Sequence, residues 1–107
     1  MQEITAADLS AWLADPARPQ PFLLDVREPW EVEICRLPDS VNLPMNLIPL
    51  RQAELPDDRP IVAICHHGVR SYQVALWLEH TGFDTPLSLA GGVDAWSASV
   101  DPALPRY

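Results

Sequence analysis

Four consecutive apolar residues, Ile61–Ile64, constrain the fold of this chain more than any other feature. An uninterrupted apolar run of this length is typical of a strand buried on both faces, as in a parallel sheet covered by helices. Apolar residues at helical spacing follow over residues 71–80, and Gly82 ends that pattern. A buried strand that leads into a helix predicts an α/β fold, with a mostly parallel sheet and helices on both faces.

The twelve prolines of the chain separate further short elements. No internal repeat and no linker divides the sequence, and 107 residues suit one compact core. We therefore expect a single domain over residues 1–107. The apolar patterns predict strands over residues 22–26, 41–43 and 86–89, a helix with Thr5 as its N-cap, and helices over residues 29–34, 46–55 and 93–98.

The charge balance excludes several classes of function. Seven basic residues stand against fifteen acidic ones, a net charge of −8. Such a chain repels nucleic-acid phosphates and anionic membrane surfaces, so we expect it to bind neither.

No apolar run approaches the roughly 18 residues of a membrane-spanning helix. Residues 1–5 lack the pattern of a signal peptide, so a cytoplasmic location is expected.

A cysteine lies where chemistry is expected, at the end of the predicted central strand. In parallel sheets, ligands bind at the carboxyl ends of the strands. Cys65 is followed by a short loop and then by the start of a helix, where free N–H groups and the helix dipole stabilise an anion. We therefore predict that Cys65 is a nucleophile that is more ionised at neutral pH than a free cysteine, and a thiolate held in this way needs no general base. Gly68 lets the backbone turn inward, and Arg70 adds a permanent charge that can approach an anionic substrate.

The spacing within this loop indicates the kind of chemistry. Cysteine-based phosphatases place five residues between the cysteine and the arginine, whereas four separate Cys65 from Arg70. A tighter loop leaves less room for a tetrahedral oxyanion but suits one sulfur atom carried as a persulfide. The alternatives are a phosphatase or arsenate reductase of similar build, and a Cys65 that is only a small buried hydrophobic residue.

Two other groups are candidates for a role in the site. Asp25 ends a strand at the same edge of the predicted sheet as Cys65, so it either orients the active-site loop or is a solvated carboxylate. Glu31 and Glu33 are expected to be solvated. Cys35 is either a packed residue or a second thiol that bridges to Cys65, which requires Cα atoms within about 7 Å.

The two histidines of the loop also allow two interpretations. His66 and His67 either bind a substrate oxyanion and tune the thiolate, or are exposed residues whose backbone alone matters. Together with Cys65 they are a poor metal site, because adjacent residues rarely converge on one ion. We expect no metal and no cofactor.

Four ordered stretches of the chain resemble the signatures of the single-domain rhodanese family of sulfurtransferases. They are LDVREPWE at residues 24–31, LPDSVNLP at 37–44, CHHGVRS at 65–71 and LAGGVDAW at 89–96. One departure is residues 38–40, Pro-Asp-Ser, where the family often has Pro-Gly-Ala.

The resemblance implies a fold, an activity and partners. The expected fold is a mostly parallel five-stranded sheet with helices on both faces. Cys65 would take a sulfane sulfur from a donor such as thiosulfate or a persulfide and pass it to a thiol or cyanide. The residues that would bind substrate are His66, His67, Gly68, Val69, Arg70 and Ser71, with the backbone of residues 66–70 cradling the persulfide. In the alternative, a persulfide relay, the donor or acceptor is another protein.

Overall fold

Five strands form one sheet in the computed structural model, which describes residues 1–107. The sheet has the order β1-β5-β4-β2-β3, and every neighbouring pair is parallel. The expected α/β architecture is therefore confirmed. The strands are β1 (Gln2–Ile4), β2 (Phe22–Asp25), β3 (Val41–Asn42), β4 (Ile61–Ile64) and β5 (Leu87–Leu89).

Helices connect these strands. The Thr5 side chain caps the first helix by accepting a hydrogen bond of 3.1 Å from the Asp8 amide. No helix is both long enough and apolar enough to cross a membrane. The helices are α1 (Ala6–Leu13), α2 (Pro29–Ile34), α3 (Ile48–Arg51), α4 (Val69–His80) and α5 (Gly92–Ser99), with 3-10 turns at Met45–Leu47 and Gln52–Glu54 on either side of α3.

The central strand β4 sends alternate side chains into two separate halves of the core. Val62 and Ile64 pack in one cluster with residues of α1 and α5. Ala63 and Cys65 pack in the other cluster with residues of α3 and α4. Because side chains alternate between the faces of a strand, Cys65 lies on the α4 side of the sheet.

Several predicted boundaries differ from the structure. The edge strand β1 was not predicted, because its three residues carry too little apolar pattern. The helix predicted over residues 46–55 is broken into α3 and its two flanking 3-10 turns, and Pro49 lies in the first turn of α3. Helix α4 begins two residues earlier than predicted, at Val69.

The backbone angle of Asp39 explains why the similar family signature often has glycine at this position. Its φ angle is +63°, in the left-handed region that glycine adopts most easily. Asparagine and aspartate are the residues that tolerate this region best after glycine. The departure at residues 38–40 therefore preserves the turn.

Candidate active site

The thiol of Cys65 lies directly after β4, at the mouth of the loop that leads into α4. Its Sγ atom accepts a hydrogen bond of 3.0 Å from the backbone N–H of Gly68. It lies 3.3 Å from the hydroxyl oxygen of Ser71, in the first turn of α4. The residue is only 1% exposed. The sulfur thus lies beside the amino end of a twelve-residue helix, where negative charge is stabilised.

A second hydroxyl extends this contact into the core. The Oγ atoms of Ser71 and Ser88 are 2.8 Å apart, and both serines are fully buried. A hydroxyl can both donate and accept, so Ser71 can accept from a thiol or donate to a thiolate while Ser88 completes its bonding. The sequence signal for Ser88 was a polar residue between two leucines of a buried strand, and we did not single it out.

The loop is fixed from the opposite side by the first turn of α5. The amide of Val93 donates to the Cys65 carbonyl at 2.9 Å, and the amide of Asp94 donates to the His66 carbonyl at 3.1 Å. Gly92 makes this approach possible, because a Cβ there would lie 2.3 Å from the Cys65 carbonyl oxygen. In a trans peptide the N–H points opposite to the C=O, so the N–H groups of His66 and His67 point away from α5.

Two further residues of the loop have clear positions. Gly68 is the N-cap of α4 with a φ of +102°, and a Cβ on it would lie 3.0 Å from the backbone nitrogen of Gly91. The next side chain, Val69, is 68% exposed and points into solvent. Glycine is therefore required at residue 68 by its backbone angle, while Val69 offers an apolar surface beside the thiol.

Arg70, the cation of the loop, has a carboxylate partner. Its Nη1 and Nη2 atoms donate to the two oxygens of Glu31 at 2.7 and 2.8 Å. The expectation that Glu31 is solvated is wrong, because α2 directs it against the loop and leaves it only 3% exposed. The exposed Glu33 is as predicted. No local pattern indicated this contact, since 39 positions separate Glu31 from Arg70.

The contacts of Glu31 fix its protonation state. The bonds from Arg70 are the main cause that lowers its pKa to about 2, against the opposing effect of burial. The Glu28 amide and the Tyr107 hydroxyl donate to the same carboxylate at 2.9 and 2.7 Å. The same ion pair raises the pKa of Arg70 above its usual range. Both partners are charged at neutral pH.

A second ion pair, fully buried, lies at the end of β2. Both carboxylate oxygens of Asp25 accept from the Arg27 guanidinium, and the shortest distance is 2.6 Å. Burial lowers the pKa of Arg27, but hydrogen bonds to Asp25 and Tyr107 outweigh it and the net shift is upward. Asp25 therefore orients Arg27 directly. The alternative of a solvated carboxylate is wrong, because Asp25 is only 1% exposed, and its role in orienting the active-site loop stays a prediction.

Tyr107 joins the two ion pairs. Its hydroxyl accepts from Nη1 of Arg27 at 3.0 Å and donates to Glu31 at 2.7 Å. Burial is the main cause that raises its pKa to about 12, so the phenol stays protonated. Its ring stacks on His66, with centroids 3.8 Å apart and an interplanar angle of 8°. Tyr107 was not singled out from the sequence.

His66, His67 and Asp94 are the group of side chains nearest to a metal site, with ligating atoms within 4.8 Å of one another. The two imidazole rings stack face to face at 3.8 Å, so their lone pairs run side by side instead of converging. Both Asp94 oxygens are bonded to Arg106 at 2.8 and 3.1 Å. Burial lowers the pKa of His66, and the charge of His67 adds to this shift. In this arrangement the three side chains do not form a converging ligand set.

Cys35 is separated from Cys65 by the sheet. Cys35 packs in the core cluster of α1 and α5, and Cys65 packs in the opposite cluster. The Sγ of Cys35 lies 3.8 Å from Nη1 of Arg27. Both cysteines are free thiols. The structure thus gives Cys35 a packing role and offers no support for an internal bridge.

Comparisons with known proteins identify the family. Residues 5–99 match the model of the rhodanese-like domain. A sulfurtransferase of Allochromatium vinosum is 41% identical over 97 residues, which cover 91% of this chain and 89% of that protein. The crystal structure of a rhodanese-like domain protein from Staphylococcus aureus has a TM-score of 0.83 and 29% identity, and it covers 100% of this chain and 99% of that one.

A longer relative contains the same domain. A probable adenylyltransferase/sulfurtransferase of Mycobacterium tuberculosis, MoeZ, is 35% identical over 106 residues. These residues cover 97% of this chain but only 26% of that protein.

The match to the family model and the similarity to the Allochromatium vinosum sulfurtransferase show that the chain belongs to the rhodanese-like sulfurtransferase family.

We predict that alanine is not tolerated at Gly92. Its Cβ would collide with the carbonyl groups of Cys65 and His66, which adds about 1–3 kcal/mol of overpacking to the strain of a positive φ. Gly82→Ala is the matched control, because Gly82 has a φ of +104° but nothing within 4 Å of the added carbon. Urea unfolding followed by tryptophan fluorescence measures both variants. Equal destabilisation by the two substitutions would contradict the account of the α5 contact.

We also predict a pH-dependent contribution of Glu31 to stability. Its pKa is depressed from 4.5 to about 2 in the folded protein, so its stabilisation is complete above pH 4.5 and is lost as pH falls toward 2. The full effect is roughly 3 kcal/mol, reduced by the partial exposure of Arg70. Glu31→Gln should therefore be less stable than the unmodified protein at pH 7.

The stability gap caused by Glu31→Gln should narrow as the pH is lowered. Urea unfolding of both proteins between pH 7 and the lowest pH at which they stay folded measures it. Glu33→Gln on the exposed face of the same helix should show no gap. A gap for Glu31→Gln that stays constant or widens on acidification would rule out the ionised pair as its source.

Proposed function

We propose that this member of the rhodanese-like family transfers sulfane sulfur through a persulfide on Cys65. Thiosulfate and persulfides are the proposed donors, and thiols or cyanide the acceptors. The observation that carries the proposal is the position of the Cys65 sulfur, bonded to the Gly68 amide at 3.0 Å beside the amino end of α4. Such a sulfur is suited to hold negative charge without a neighbouring base.

The first half-reaction loads the cysteine. The Cys65 thiolate attacks the outer sulfur of the donor, and a new S–S bond forms as the old one breaks. Sulfite leaves thiosulfate with the electron pair, or a thiolate leaves a persulfide. The negative charge then lies on the terminal sulfur of the Cys65 persulfide, and Ser71 can donate to the inner sulfur, which it already contacts at 3.3 Å.

The second half-reaction removes the sulfur from the Cys65 persulfide. A thiolate or cyanide attacks the terminal sulfur, the S–S bond of the persulfide breaks, and Cys65 recovers its electron pair as a thiolate. No oxidant or reductant is needed, because the sulfane sulfur moves between nucleophiles. The bonds to Gly68 and Ser71 favour Cys65 as the leaving group, since they stabilise the thiolate that is released.

A protein donor or acceptor is the second candidate, and a surface beside the loop favours it. Val69, Tyr72 and Leu76 are 68%, 43% and 41% exposed. Their spacing of three and four residues gives them one exposed face of α4, the helix that follows the Cys65 loop. Exposed apolar side chains grouped beside a reactive residue are typical of a surface that contacts another protein. The adenylyltransferase/sulfurtransferase relative carries its rhodanese-like domain within a longer protein, which agrees with a relay between protein sites.

Substitution of each cysteine tests the proposed chemistry. We predict that Cys65→Ser abolishes sulfur transfer from thiosulfate to cyanide, because serine cannot form a persulfide. Cys35→Ser is the control and should retain activity, since Cys35 lies in the other half of the core. Thiocyanate formation in the steady state measures both. Activity that survives in Cys65→Ser and disappears in Cys35→Ser would overturn the assignment.

A further inference from the structure

Tyr107 and Glu31 are hydrogen-bonded to each other beside the Cys65 loop. Neither side chain takes part in the proposed sulfur-transfer steps. The Tyr107 hydroxyl donates to Glu31 at 2.7 Å, and Glu31 binds both terminal nitrogens of Arg70. The Tyr107 ring lies flat on His66, the residue next to the nucleophile. The arrangement thus connects Tyr107 to both sides of the Cys65 loop.

We propose that Glu31, positioned by Tyr107, determines the charge of the donor that the site accepts. By neutralising Arg70, Glu31 withholds the cation of the loop from dianions such as thiosulfate and leaves persulfides of thiols as the preferred donors. The inference rests on the proposed function and names the donor class of the same site.

The ion pair has little freedom to open for a substrate. Four hydrogen bonds converge on the Glu31 carboxylate: two from Arg70, one from Tyr107 and one from the Glu28 amide. A bidentate arginine–carboxylate pair is among the strongest and most directional polar contacts in proteins. Glu31 is also nearly inaccessible to solvent. A dianion must therefore compete with a carboxylate that is already fully bonded.

The other arginines around the site are balanced in the same way. Arg27 is fully buried and bound to Asp25, so it offers no charge to a substrate. Arg106 is bound to Asp94. Burial and the neighbouring His67 lower the pKa of His66, which disfavours a positive charge on its imidazole. The guanidinium groups near Cys65 are thus each matched by a carboxylate.

A persulfide fits such a site better than thiosulfate. The persulfide group carries at most one negative charge, and that charge lies on the sulfur that is transferred. The Cys65 thiolate attacks this terminal sulfur, the S–S bond of the donor breaks, and the donor thiolate leaves with the electron pair. The reaction requires no cation to hold a sulfonate group, which a thiosulfate donor would present.

Tyr107 acts through Glu31 as a positioning residue. If the Tyr107 hydroxyl is removed, Glu31 loses one of its four hydrogen bonds and Arg27 loses one acceptor. The carboxylate then holds Arg70 less tightly. Tyr107→Phe keeps the ring stack on His66 and removes only the hydroxyl, so it isolates this effect from the packing of the loop.

The test compares two donors by their second-order rate constants for loading sulfur onto the protein, measured by quenched intact-mass spectrometry. The probes are thiosulfate and the persulfide of mercaptoethanol, which has no ionisable group besides the persulfide itself. We predict that Glu31→Gln raises the ratio of the thiosulfate to the persulfide rate constant about tenfold, which corresponds to about 1.4 kcal/mol. Tyr107→Phe should raise it several-fold. Glu33→Gln, on the same helix, should leave the ratio unchanged.

A second substitution assigns the gain to Arg70. In the double variant Glu31→Gln/Arg70→Ala the ratio should fall back to or below that of the unmodified protein. A ratio that is unchanged or lower in both Glu31→Gln and Tyr107→Phe would overturn the inference while sulfur loading on Cys65 still stands. Absence of loading from either donor in the unmodified protein would instead overturn the proposed function.

Discussion

Two hydrogen bonds from the first turn of α5 hold the loop on which the whole site depends. They bind the carbonyl groups of Cys65 and His66, and they form because Gly92 lets the two backbones meet. These two carbonyl groups point toward α5, so they do not point toward the Cys65 sulfur on the other side of the loop. The Gly68 amide and the Ser71 hydroxyl then reach the Cys65 sulfur. The position of the Cys65 sulfur therefore depends on the contact between the end of β4 and the amino ends of α4 and α5.

A balanced set of charges surrounds this loop. Arg27 with Asp25 and Arg70 with Glu31 form two pairs, and the Tyr107 hydroxyl joins them by accepting from one and donating to the other. Buried pairs of this kind leave a costly unpaired charge when one partner is removed, so they hold their elements in one arrangement. The network ties β2, α2 and Tyr107 to the active-site loop. It also pairs each arginine near Cys65 with a carboxylate, which is the basis of the proposed preference for donors of low charge.

Local sequence patterns predicted the parts of this site that are close in the chain. The apolar run of β4 and the helix that follows predicted the fold class, and they placed Cys65 between strand and helix, because burial and periodicity are local signals. Glu31 was expected to be solvated, since an acidic residue on a short helix carries no sign of a partner 39 residues away. Tyr107 and Ser88 were missed for the same reason: their roles depend on contacts across the sheet and along the whole chain. The motif resemblance indicated which segments meet, but not which side chains bond.

The identity of the sulfur carrier is tested most directly by mapping the sulfur itself. The unmodified protein is exposed once to a persulfide donor, its thiols and persulfides are alkylated, and the peptides that contain Cys35 and Cys65 are compared by mass spectrometry. The account predicts one added sulfur atom on the Cys65 peptide, removed by a thiol acceptor, and none on the Cys35 peptide. Sulfur on Cys35, or sulfur on Cys65 that no acceptor removes, would contradict it.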